Sequence, residues 1–193
     1  PIKDGTIVET DTISSSVSAT VKRDAILSVI LATICMLIYI FVRFRDIRFA
    51  SSAILALVHD VLVVVTAYAL IRISVGSTFI ACILTIVGYS VNDTIVIFDR
   101  IREFFGLYPK RNKKVLFNDS LNTTLARTIN TSLSTLIVLL CIFILGGDSI
   151  RSFAFAMILG VVIGTLSSLF IASPIAYNMM KNKKVVVPAA TEE

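Results

Sequence analysis

Two carboxylates lie inside long apolar stretches of the sequence, where ionised side chains are rare. Asp93 stands in the segment Gly88–Arg102, GYSVNDTIVIFDRIR, which follows the uncharged run TFIACILTIV at Thr78–Val87. A carboxylate at the centre of a membrane helix costs at least about 2.5–3.5 kcal/mol on insertion scales, so it needs a partner, water or a proton. Acids in this position are typical of proton relays. The sequence therefore makes Asp93, together with the adjacent Asn92, the first candidate for chemistry.

The second carboxylate is Asp60, which follows His59 in another apolar run. Adjacent residues on a helix point about 100° apart, so these two side chains need not form a dyad. A hydrogen bond to another helix is the structural interpretation of both residues, and a part in a proton relay is the functional one.

A metal site is not expected, because the chain has one histidine and no CxxC spacing. The three cysteines are predicted to be reduced thiols within apolar runs: Cys35, Cys82 and Cys141.

The composition indicates a protein that crosses a membrane several times. Of the 193 residues, 56% are hydrophobic and only 16% are charged, and the mean hydropathy is +0.89. Soluble domains are typically about 45–50% apolar and 25% charged. The net charge of +5 does not indicate nucleic-acid binding, because the cations lie between the apolar runs and no nucleic-acid module is recognisable.

Five apolar runs are long enough to cross a bilayer, which predicts an all-α membrane protein. They are Ala25–Val42, Phe49–Ile71, Thr78–Phe98, Thr128–Leu145 and Ser152–Tyr177. Together they define a membrane region over residues 25–177. Residues 1–24 are interpreted as the end of an external domain with its lead-in, and residues 178–193 as a tail. Residues 99–127 are predicted to be a loop, in which Lys114–Arg127 forms either an interfacial helix or a solvated segment.

The distribution of lysine and arginine predicts the orientation. The connections after the second and fourth runs carry only Arg72 and Arg151. The other connections and the tail are strongly basic: Arg43, Arg45, Arg48, Arg100, Arg102, Lys110, Arg111, Lys113, Lys114, Lys181, Lys183 and Lys184. The positive-inside rule then places the N-terminal segment outside and the loop 99–127 and the C-terminus in the cytoplasm. An external domain followed by five spans suggests a further helix upstream, so the chain is interpreted as a fragment.

Polar residues predict which helices meet. The fourth predicted helix opens with Arg127, Thr128 and Asn130, so its first half needs a polar neighbour. Asp93 and Arg127 are expected at a similar depth, which makes an ion pair between them sterically plausible.

Small residues predict where helices approach closely. Gly88 would admit a neighbour beside the third helix. The fifth run carries a small residue at every fourth position, which is typical of a packing seam. Its members are Ala156, Gly160, Gly164 and Ser168.

Several motifs resemble the SecF family of protein-export membrane proteins. The signature is GYSVNDTIVIFDRIRE at Gly88–Glu103, and similar blocks are ALVHD at Ala56–Asp60, FNDSLNTTLARTINTSLSTL at Phe117–Leu136 and the segment Phe143–Ala176. The resemblance implies a fold of the resistance-nodulation-division type, with six helices and a periplasmic domain between the first two. The chain would then hold helices two to six and the end of that domain, with a periplasmic N-terminal segment.

The resemblance also implies a function in the bacterial plasma membrane. SecF would act with a SecD half beside the SecYEG channel, in contact with membrane lipids, and would assist emerging preproteins at the expense of the proton gradient. Asp93 matches the family's membrane carboxylate, which is regarded as a proton site, and Arg127 matches its basic partner. Protons are then the coupling ion, and no other cofactor is expected.

Two other classes of function remain open. One is a proton-coupled efflux permease for small molecules or lipids in the same superfamily, and the other is a non-transporting scaffold of the export channel. An enzyme is not expected, because the sequence has no Walker-type phosphate loop and no credible pair of nucleophile and base.

Overall fold

The computed structural model describes residues 15–72 and 77–180, which form helices. They are α1 (Ser15–Phe44), α2 (Ile47–Ile71), α3 (Ser77–Leu107), α4 (Lys113–Leu145), α5 (Asp148–Ser167) and α6 (Ser173–Met180), with a π-helical segment at Ser168–Ala172. These two ranges contain no strand. Most of the predicted domain end at 1–24, and the tail from residue 181, lie outside the described residues.

Five stretches of these helices are long and apolar enough to cross a membrane. They are Ile26–Phe44, Ile47–Ile71, Phe79–Leu107, Lys113–Leu145 and Ile150–Met180. The fifth is built jointly by α5, the π-helical segment and α6. The prediction of an all-α membrane fold with five spans is thus confirmed.

The region predicted as a loop over 99–127 is mostly helical. Helix α3 continues to Leu107 and α4 begins at Lys113, so the connection is residues 108–112. The extension of α3 is supported by an ion pair of 2.7 Å between Arg100 and Glu103, one turn apart. The side-chain oxygen of Asn112 accepts a hydrogen bond from the Lys114 N–H and caps α4. The segment predicted as an interfacial helix is therefore the first part of one continuous helix.

The charged connections 45–46 and 108–112 lie at one end of the bundle, which we call the basic end. A cluster of aromatic rings from three helices closes the core there. Phe49 of α2 has its ring centroid 5.3 Å from that of Phe44 of α1 and 4.9 Å from that of Phe98 of α3. All three side chains are essentially fully buried. A second apolar cluster, which includes Val64, Cys82 and Val161, fills the other half of the bundle.

The last span changes its helical pitch at the π-helical segment. Pro174 follows that segment, and a proline has no N–H and its ring clashes with the carbonyl four residues earlier. Widening of the helix over Ser168–Ala172 accommodates this break. The Ser173 hydroxyl donates a hydrogen bond of 2.9 Å to the Ser168 carbonyl within the same turn.

Two glycines of α5 lie directly against α3. A Cβ at Gly160 would stand 2.4 Å from Cγ1 of Ile86, and one at Gly164 would stand 3.1 Å from Cβ of Ser90. These two positions therefore let the helices approach closely. Gly88 differs from its prediction: it is exposed, and no atom of another described helix lies within 4 Å of the place where its Cβ would be.

Candidate functional site

Asp93 lies where α3, α4 and α5 meet, and its side chain is almost completely enclosed. The residue is 4% exposed. Its Oδ2 lies 3.5 Å from the hydroxyl oxygen of Ser132 on α4 and 3.5 Å from that of Thr165 on α5, so either hydroxyl can donate a long hydrogen bond to it. Those two hydroxyls lie only 2.6 Å apart. The carboxylate is thus in weak contact with two other helices, which a short hydrogen bond joins to each other.

The sequence of α4 explains how Ser132 reaches this point. Buried hydroxyl residues recur at every fourth position, so that they share one helical face. We call them the hydroxyl row: Ser120, Thr124, Thr128 and Ser132. On α5, Thr165 follows Gly164, whose missing side chain lets α5 come close to α3.

Arg127 does not form the predicted direct ion pair. Among the described residues, the side chain of Arg127 makes no ion pair or hydrogen bond with Asp93, and it is exposed. Arg127 precedes Ser132 by five residues, which places it about 7.5 Å closer to the basic end along α4. The sequence argument placed the two residues at a similar depth because it lacked the register of α4 against α3.

Asn92 lies outside this site. It is exposed, whereas the adjacent Asp93 is buried, because successive residues of a helix point about 100° apart. No hydrogen bond of the described part of the chain joins the Asn92 side chain to the residues around Asp93.

Asp60 forms a second buried polar contact close by. It is 1% exposed, and its Oδ2 accepts a hydrogen bond of 2.6 Å from the Ser90 hydroxyl on α3. This is an interhelical hydrogen bond, as one interpretation of the sequence expected. His59 also takes part, since its Nδ1 lies 3.1 Å from Oδ1 of Asp60. Ser90 and Asp93 are one turn apart on α3, so the two carboxylates flank a single turn of that helix.

A cleft opens between α3 and α4 towards the basic end. Its volume is about 410 Å³. Charged and hydroxyl side chains line most of it: Asp99, Arg100, Glu103, Thr123, Thr124 and Arg127, with Val96. Val96 is three residues from Asp93 on α3, so the cleft ends within one helical turn of the buried carboxylate.

Two partners of Asp93 were not identified from the sequence. The need of α4 for a polar neighbour was visible in its run of threonine and serine, and Ser132 belongs to that run. Thr165 gave no such signal, because it stands among the small and apolar residues of the packing seam. The hydroxyl of Thr165 reaches the Asp93 carboxylate only because α5 lies close to α3.

Comparison with known proteins fits this arrangement of helices. The sequence profile of the family described as protein export membrane protein SecD/SecF, C-terminal, matches residues 2–182. The chain belongs to this family. A protein translocase subunit SecF from Rhodothermus marinus is 42% identical over 179 residues, which is 90% of this chain and 58% of that protein. Another from Alicyclobacillus acidocaldarius is 44% identical over 171 residues, or 87% of this chain and 55% of its own length.

Solved structures agree with the sequence comparison. A crystal structure of SecDF from Thermus thermophilus, described as a translocon-associated membrane protein, superposes with a TM-score of 0.83 at 38% identity. The match covers 88% of this chain and 24% of that one. A SecDF structure in the super-membrane-facing form matches with a TM-score of 0.79 and the same identity. The chain thus has the membrane fold of the SecF part of SecDF, and it spans a little over half the length of the SecF relatives above.

Proposed function

We propose that this chain is the membrane part of a SecF-type subunit that uses the proton gradient to assist export of preproteins. The subunit would pair with a SecD half and work beside the SecYEG channel in the bacterial inner membrane. Membership of the SecD/SecF family supports the export function. The position of Asp93 supports the coupling to protons.

The observation that carries the proposal is the set of partners around Asp93. In the described residues its only hydrogen bonds are the two long ones from hydroxyls, and no cation touches it. A hydroxyl can donate to a carboxylate and can also accept from a protonated carboxyl group. The site therefore suits both protonation states of Asp93. A site in which an arginine paired tightly with the carboxylate would suit only the charged state.

A change of protonation would act on three helices at once. A carboxylate draws the donated hydrogen bonds of Ser132 and Thr165 towards it, and a neutral acid does not. One proton that crosses about 150 mV supplies roughly 3.5 kcal/mol, which can shift a two-state equilibrium by about 300-fold.

The decisive experiment is Asp93→Asn in the full-length protein. Export of a reporter preprotein is measured with the proton gradient intact and after an uncoupler has collapsed it. We expect the variant to export at the uncoupled rate under both conditions, with wild-type abundance in the membrane. Asp119→Asn is the matched control, since Asp119 is a carboxylate of α4 that pairs with Arg111 at 2.9 Å, away from Asp93. Gradient-dependent export by Asp93→Asn at the wild-type rate would refute the proposal.

The same assays separate the other two functions. A scaffold would tolerate Asp93→Asn, because the asparagine side chain can still accept a hydrogen bond from Ser132 or Thr165. A proton site would not tolerate that change, since it needs an ionisable acid in the enclosed position. An efflux permease would show altered accumulation of small molecules or lipids in Asp93→Asn cells while export remained normal.

A further inference from the structure

The hydroxyl row of α4 contains one member whose hydroxyl has no partner. Ser120 donates to the Leu116 carbonyl at 2.8 Å, and Thr124 donates to the Ser120 carbonyl at 3.1 Å. Ser132 bonds to Thr165. Thr128 is 1% exposed, and within the described ranges its Oγ1 makes no hydrogen bond at all.

An unpartnered buried hydroxyl is unusual in a helix. Threonine normally satisfies its hydroxyl by donating to the carbonyl four residues earlier, as Thr124 does here. Leaving a buried polar group without a partner is unfavourable, and ordered water is the common partner where protein atoms do not supply one. The buried hydroxyl of Thr128, which has no partner among the described residues, therefore indicates a site for water.

Thr128 occupies the interval between the cleft and the carboxylate. It lies one turn beyond Thr124, which lines the cleft, and one turn before Ser132, which bonds to Asp93. On α3, Val96 also lines the cleft and lies three residues from Asp93, about 4.5 Å along the helix. On α4, the step from Thr124 to Thr128 and the step from Thr128 to Ser132 each span about 6 Å, roughly the reach of one bridging water with its two hydrogen bonds.

The carboxylate of Asp93 has one oxygen that is available for a further hydrogen bond. Both hydrogen bonds to Asp93 from the described residues end on Oδ2, so Oδ1 accepts none from them. A water between Thr128 and Asp93 would thus find a hydroxyl and a carboxylate oxygen as partners. A buried water typically makes about three hydrogen bonds, and further water from the cleft would supply the remainder.

We propose that water enters from the cleft and reaches Asp93 at Thr128, whose hydroxyl positions the last water beside the carboxylate. Thr128 is then a positioning residue for proton exchange between Asp93 and the basic end of the bundle. The proton would pass from a cleft water to the water at Thr128 and on to a carboxylate oxygen, while Thr128 itself keeps its proton number unchanged. This inference rests on the proposed proton site at Asp93.

Accessibility to a thiol reagent tests the water route without any export assay. Thr128→Cys is made in the full-length protein after replacement of the native cysteines, among them Cys35, Cys82 and Cys141, by alanine. A small cationic methanethiosulfonate reacts only with a hydrated thiolate. We expect labelling of Thr128→Cys from the side of the basic end. Val161→Cys, at a fully buried position in the second apolar cluster, should remain unlabelled. Equal absence of labelling at both positions would overturn the inference.

A second pair of variants tests the hydroxyl itself. Thr128→Val keeps the shape of the side chain and removes the hydroxyl, and it should lower gradient-driven export by about 10-fold, the equivalent of one hydrogen bond. Thr128→Ser restores the hydroxyl and should restore the rate. Thr131→Val is the control, since its hydroxyl donates only to the Arg127 carbonyl at 2.8 Å.

The two proposals fail in different ways. Wild-type export by Thr128→Val would overturn the function assigned to Thr128 and leave Asp93 as a proton site. Wild-type gradient-driven export by Asp93→Asn would overturn the proton site, and the labelling of Thr128→Cys would still decide whether water reaches α4.

Discussion

At the scale of single residues, the arrangement of Asp93 and Arg127 is the most informative feature. A direct pair of a carboxylate and a guanidinium would hold both ions in place and would resist protonation. Here the carboxylate contacts neutral hydroxyls, and the arginine lies on the cleft wall without an ion pair to it. Such a site can lose and regain its charge without breaking a strong ion pair.

This geometry predicts how Arg127 can be replaced. Lysine keeps the positive charge but not the planar fork of donors that arginine uses in direct pairs. Because Arg127 does not contact Asp93, we expect Arg127→Lys to retain most gradient-driven export and Arg127→Gln to lose most of it. The measurement is the export rate of a reporter preprotein at equal membrane abundance. Equal loss in both variants would indicate a direct guanidinium contact and would contradict this account.

Sequence reasoning identified the acids but not their surroundings. Asp93 and Asp60 were recognised because an ionisable residue within an apolar run is costly whatever its neighbours are. Their contacts depend on helix register, which one sequence does not contain. The unexpected separation of Arg127 from Asp93 and the contact of Thr165 are both consequences of that register.

At the scale of helices, α3 and α4 are longer than a membrane requires. They contain 31 and 33 residues, or about 46 and 50 Å at 1.5 Å per residue, against an apolar bilayer core of about 30 Å. Their excess length extends the basic end, where the cleft and the aromatic cluster lie. The sequence predicted the apolar portions well, but it did not predict that both helices continue through the charged residues that follow or precede them. Local ion pairs and a cap supply the support that hydropathy does not reveal.

The packing of α5 on α3 predicts a coupled effect of two substitutions. Gly160→Ala places a methyl group against the side chain of Ile86 and should destabilise the protein by about 1–3 kcal/mol. Ile86→Ala removes the atoms that would clash, so the double variant should be more stable than the sum of the single effects, by about 0.5–3 kcal/mol. Thermal unfolding of the solubilised protein measures the stability of the two single variants and of the double variant.

Gly88→Ala is the control for that cycle. Gly88 is also a helical glycine, but no described atom of the chain surrounds its Cβ position. We expect its melting temperature to stay at the wild-type value or to rise slightly, because alanine favours a helix over glycine. A loss of stability at Gly88 equal to that at Gly160 would mean that glycine itself, rather than the contact with Ile86, is what these helices require.

At the scale of the whole molecule, polar side chains connect the basic end of the bundle with the buried carboxylate of Asp93. The basic end carries the cleft, and the hydroxyl row leads from it towards Asp93. If the positive-inside rule holds, this end faces the cytoplasm, and the water route would join Asp93 to the cytoplasm. The orientation therefore decides on which side of the membrane Asp93 would exchange its proton in the proposed mechanism.

Cysteine labelling of the two ends of α4 tests this orientation. Lys110→Cys lies in the connection 108–112 at the basic end, and Gly147→Cys lies in the connection after α4, at an exposed position with open space around it. We expect a membrane-impermeant thiol reagent added to intact cells to label Gly147→Cys, and to label Lys110→Cys only after permeabilisation. The concentration of lysine and arginine around residues 108–114 is the physical reason, since such segments are retained in the cytoplasm. The opposite pattern would place the basic end outside, and the water route would then open to the external side.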